Sequence, residues 1–76
     1  MTLQERITYT TNNFSQREII DKYKESYFKG SQNLSEDERE KLYDDMDVLW
    51  YSLSSDSIKT VEEEIKKELI NDRRAN

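Results

Sequence analysis

Apolar side chains return at Leu42, Met46, Leu49 and Leu53, at steps of four, three and four. That spacing stacks them on one side of a helix. Trp50 and Tyr43 widen the stripe. The opposite side carries Asp37, Glu40, Asp44, Asp47 and Tyr51 at the same kind of step, with Val48 beside them and away from the stripe. Ser35 opens the segment and Glu38 follows three residues later, the pattern in which side chains and free amides cap each other at a helix start. Residues 35–54 therefore predict an amphipathic helix. One face builds a core, and the other displays a row of carboxylates ending in an aromatic ring.

Ser15 with Glu18 repeats the capping pattern and predicts a helix over 15–29, with Phe14 and Ile19 placed for a hydrophobic staple. Ile20, Tyr23 and Tyr27 form its stripe, and Ile19 lies at the edge. Gly30, the single glycine, falls just past the last periodic residue, where a left-handed helix end is expected. After the turn-forming run 54–57, a third helix is expected from Ser57 or Thr60 to Asp72, Thr60 with Glu63 being a third capping pattern. Its apolar side is Ile58, Val61, Ile65 and Leu69, with Ile70 off the stripe. Residues 72–76 read as a frayed end, basic at Arg73 and Arg74. Residues 1–12 are ambiguous. Leu3 and Ile7 fit one helical turn, whereas Ile7 to Thr11 has strand-like composition, and termini fray by default. A strand there would need a mate from another molecule.

No proline, repeat or linker divides the chain. The expected fold is all-α over one domain, 1–76: a small three-helix bundle, or a helical hairpin plus a docked third helix, with a flexible or extended N-terminal arm. The expected core is Ile20, Tyr23, Tyr27, Leu42, Met46, Leu49, Trp50, Leu53, Ile58, Val61, Ile65 and Leu69.

Composition narrows the chemistry. The 76 residues contain no cysteine and no histidine. That removes disulfides, thiol nucleophiles, the commonest general base and the commonest zinc ligands. No glycine-rich phosphate loop or catalytic motif is present, so the chain is expected not to be an enzyme and to use no cofactor. Asp44, Asp45 and Asp47 raise the question of a metal. Inside a helix, however, neighbours diverge by ~100°, and a calcium loop needs alternating ligands and a turn. No metal site is therefore expected. A chain this short buries little surface and is marginally stable, so a second copy of itself is one expected partner.

The net charge of −5 is unevenly placed. Residues 1–34 carry +1, residues 35–56 carry −6 and residues 57–76 are neutral. Such a balance disfavours nucleic acid and anionic membrane. No apolar run reaches the ~20 residues of a membrane span, no signal peptide is visible at the start, and a cytoplasmic protein is expected.

These readings leave the acidic row as the candidate site: Asp37, Glu40, Asp44, Asp47, Val48 and Tyr51, facing a protein with a basic surface. The competing reading is a solvated face kept charged for solubility. Cations are sparse on the row, and tyrosine is favoured at binding hot spots. Its carboxylates climb ~4.5–6 Å per step, a scale comparable to phosphates along DNA, so nucleic-acid mimicry is one form of the idea. In size, acidity and lack of catalytic residues the chain resembles small phage or mobile-element proteins that inhibit a host factor, a resemblance of composition alone. Two alternatives stand beside it: a homodimeric assembly module, and direct nucleic-acid binding through Arg17, Lys22, Lys24 and Lys29, which net charge opposes.

Overall fold

The computed structural model describes residues 2–30 and 32–75, with side chains through residue 70. The described residues form four helices: α1 (Leu3–Asn13), α2 (Gln16–Lys29), α3 (Glu36–Ser52) and α4 (Ser55–Ala75). The all-α expectation holds, and the three helices read from capping and periodicity are present. Ser31, at the start of the loop between α2 and α3, lies outside the described residues, as do the side chains of Arg73 and Arg74.

Local chemistry accounts for each start. At α2, Ser15 Oγ accepts from the Glu18 amide at 3.2 Å and Glu18 accepts from the Ser15 amide at 3.1 Å. At α3, Ser35 Oγ accepts from the Glu38 amide at 3.3 Å, while its hydroxyl donates to the Glu38 carboxylate at 2.9 Å. α4 begins at Ser55, ahead of both expected starts, because Ser54 Oγ accepts from the Ser57 amide at 3.2 Å. Thr60 is interior instead: its hydroxyl donates back to the Asp56 carbonyl at 3.0 Å. The helix also runs past Asp72 to Ala75, where fraying had been expected.

The N-terminal arm is helical, which overturns the strand reading. Thr2 and Glu5 form a reciprocal capping box at its start. The threonines that suggested a strand are accommodated because Thr8 and Thr10 donate to the Gln4 and Arg6 carbonyls one turn back. Gly30 also departs from expectation. Its backbone is right-handed, φ −64° and ψ −18°, and its amide donates to the Ser26 carbonyl at 3.0 Å. Gly30 is therefore not the left-handed residue expected at the end of α2.

Packing runs α1 on α3, α3 on α2 and α2 on α4, so sequence order is not spatial order. The result measures 43 × 32 × 15 Å. Ile19, Ile20, Leu53 and Val61 form the core cluster, with Phe14, Tyr23, Leu49, Trp50, Ile58 and Ile65 packed against it. Ile19, placed at the stripe's edge by its spacing, is completely buried. α2 lies between α3 and α4 and therefore buries a wider arc than one stripe. Conversely, Tyr27 and Leu69 stay 41% exposed, and Tyr43 is also exposed, because no further helix closes over them.

Polar links set the angles between helices. The Gln16 side-chain amide donates to the Ser52 carbonyl at 3.1 Å and accepts from the Ser54 amide at 2.9 Å, holding the α3–α4 corner against α2. Arg17 grips both carboxylate oxygens of Glu64 at 2.7 Å, and Lys24 joins Glu64 at 2.9 Å and Glu68 at 2.8 Å. These pairs tie α2 to α4.

Candidate functional site

α3 is anchored on two sides, by α1 and by α2, and what remains is an outward arc. Asp37, Glu40, Asp44, Asp47 and Tyr51 all lie on it and are exposed, as the periodicity predicted. Glu36 and the exposed Tyr43 share the arc. Among the described residues, none of the four carboxylates is in an ion pair with a cation. The arc is thus a predominantly acidic ridge with two aromatic rings, flanked at its start by the exposed Arg39.

Val48 is a correction. It was placed on the outer face, but it is buried, with 5% of its surface exposed. The physical reason is α1. Tyr9 and Thr10 line the same hollow as Val48 and Leu49, and Arg6 bonds Asp45 of α3 at 2.9 Å. With residues 1–12 read as an arm, the side of α3 that they cover was assigned to solvent.

Among the described residues, three of the hollows border α3. The largest, about 510 Å³, lies across α3 between α1 and α2. Its charges are largely balanced: Arg6 is matched by Asp45, and Lys22 lies near Glu25 with its ammonium 4.7 Å above the Phe14 ring. A second, about 410 Å³, sits at the start of the ridge and is lined by Leu34, Glu36, Arg39, Glu40 and Tyr43.

The third was not found from sequence. Tyr23 and Tyr27 of α2, Trp50 of α3, and Val61, Ile65 and Leu69 of α4 line an open groove of about 320 Å³, with Glu62 and Lys66 at its rim. Tyr23 and Trp50 meet with ring centroids 5.4 Å apart. All six were read as core, since their spacing fits a stripe. The surplus of tyrosine was the available signal, because tyrosine suits a half-wet site better than a closed core. The groove borders the ridge: Asp47 stands one turn before Trp50 on α3. The Tyr23 hydroxyl holds its proton more tightly than usual, through burial first and then the negative influence of Tyr27, Asp47 and Glu62.

Three of the four cations of α2 are engaged. Arg17 is paired with Asp21 and Glu64, Lys24 with Glu64 and Glu68, and Lys22 sits over Phe14. Among the described residues, no cluster of three or more acidic side chains could hold a metal ion, and no helix is long and apolar enough to cross a membrane. No family model, curated protein or solved structure matches the chain, so the functional reading rests on its own residues.

Proposed function

We propose that the chain is a small protein-binding module whose working surface is the α3 ridge with the aromatic groove beside it, and whose partner presents a basic surface. The observation that carries this reading is the adjacency itself. A row of carboxylates without paired cations ends at Asp47, one turn before Trp50, which lines an open apolar groove. A face built only for solubility has no use for the groove, and a core has no use for the ridge. Asp37, Glu40, Asp44 and Asp47 steer and orient the partner, while Tyr51 supplies a rigid contact. A cytoplasmic setting accords with the lack of cysteine. An inhibitor that stands in for nucleic acid on a basic groove is the most specific form of the reading, and the climbing carboxylates support it.

The test is affinity capture from a lysate of the source organism, with wild type beside a variant carrying Asp37→Asn, Glu40→Gln, Asp44→Asn and Asp47→Asn. The expected result is a basic protein retained by wild type, lost by the variant, and released as salt rises. Equal capture by both, or none by either, reduces the ridge to a solvated face. For mimicry, reversing Glu40 and Asp44 to lysine weakens binding more than Tyr51→Ala does. The opposite order makes the site an aromatic hot spot and ends the mimicry version.

A further inference from the structure

The groove over α2 has a shape that selects its occupant. Ile65 and Leu69 stand one turn apart on α4 above the fully buried Val61, so the open part of this wall runs ~6 Å. Trp50 of α3 and Tyr23 and Tyr27 of α2 complete the lining. An open apolar trough bounded by Tyr27, Trp50, Ile65 and Leu69 can take the pair of side chains that a helix presents at i and i+3 or i+4. An extended peptide has less to gain, because the described residues include no strand whose edge it could join.

Charge selects further. Glu62 lines the trough from α4, and Asp47 of α3, one turn before the lining Trp50, ends the ridge that runs through Glu40 and Asp44. Lys66 is the single cation in the lining. A second copy of the chain would bring its own acidic ridge and a net charge of −5 to the same place. A cationic occupant meets opposite charge instead.

We infer that the trough between Trp50 and the Ile65–Leu69 side of α4 receives an amphipathic helix of the partner, its apolar stripe inward and its lysines or arginines over Asp47 and Glu62. This rests on the partner-binding reading above and names the element that the partner inserts.

Trp50 is the only tryptophan of the chain, so its fluorescence reports the trough directly. The probe is a synthetic helical peptide of about four turns, with leucine at i, i+3, i+4 and i+7 and lysine elsewhere, lacking aromatic residues. Three comparisons accompany it: the peptide with glutamate for lysine, the peptide with glutamine for leucine, and the Leu69→Arg protein. Leu69 is 41% exposed, so that variant folds, as a superimposable circular dichroism melt would verify. The expected result is a saturable, equimolar shift of Trp50 emission with the leucine–lysine peptide, with affinity at least about tenfold weaker in all three comparisons. Absence of a saturable shift overturns the inference. So does an equal response to the leucine-free peptide, which would mean charge attraction to the ridge alone. Sedimentation as a dimer, with Trp50 emission changing on dilution, also overturns it by giving the trough to a second copy. The outcomes separate the two readings. Capture that depends on the ridge alongside a silent Trp50 leaves the partner-binding surface standing and removes the helix from the trough.

Discussion

Glu64 is the residue on which the α2–α4 contact turns. Arg17 holds both of its oxygens and Lys24 one of them. These partners, Arg17 first and Lys24 second, lower its pKa from an ordinary 4.5 to about 2. The sign of the linkage follows. Between those two values the unfolded chain binds the proton that the folded chain refuses, so stability rises with pH across that window. The contribution is fully present above pH 4.5 and lost as pH falls through about 2. Arg17 is largely exposed, and solvent screening trims the interaction, so Glu64→Gln is expected to cost about 1 kcal/mol near neutrality. Urea melts of wild type and variant over a pH series check this. The two curves should separate above pH 4.5 and converge toward pH 2. A constant gap at every pH would mean that packing, not charge, is what the substitution removes.

At the scale of the element, the end of α2 supplies a second expectation. Gly30 has a right-handed backbone, and a Cβ there would meet Leu42 Cδ2 and the Tyr27 carbonyl at 3.4 Å, ordinary van der Waals contact. Alanine therefore fits, and it narrows the unfolded ensemble. Gly30→Ala should stabilise the protein by about 0.4–1 kcal/mol, seen as a raised thermal midpoint. A lowered midpoint would show that Leu42 cannot give way. This position also marks what the sequence could and could not express. Capping pairs such as Ser15–Glu18 and Ser35–Glu38 are local chemistry, so α2 and α3 were legible to within a residue or two. α1 had the same kind of signal in Thr2 and Glu5, but the threonine-rich run competed with it, and hydroxyls that bond back to their own helix are invisible to propensity. Val48 followed from that miss, because which face is covered depends on which helix arrives. The exposed carboxylates needed only their own periodicity and were readable from it. The groove needed three helices in place, and a stripe of Tyr23, Tyr27, Ile65 and Leu69 reads as core until the absence of a further helix over it is known.

For the whole molecule, the packing order makes stability uneven. α2 and α3 are each held on two sides, whereas α1 packs chiefly on α3 and buries only Thr10. Eleven residues are too few for a helix to persist in water unaided. Its docking rests on the Val48 seat and on the Arg6–Asp45 pair, whose two side chains are 38% and 48% exposed. An exposed pair of this kind contributes at most about 1 kcal/mol. α1 should therefore open while the rest stays folded. Native-state hydrogen exchange is expected to show α1 amides at least about tenfold less protected than those around Ile20 and Tyr23, a gap of about 1.4 kcal/mol. Asp45→Asn should widen the gap without touching α2. Equal protection of α1 and α2 would show a single cooperative unit and remove the idea. The opening has a consequence for the site. Val48 lies one turn from both Asp44 and Tyr51, so undocking α1 would bare an apolar side chain beside the ridge. A partner that binds the ridge and also covers Val48 would then slow its association in proportion to the closed fraction of α1, and Asp45→Asn would speed it. Stopped-flow association of the captured partner with both proteins measures that difference, and equal rates would confine binding to the ridge and groove with α1 in place.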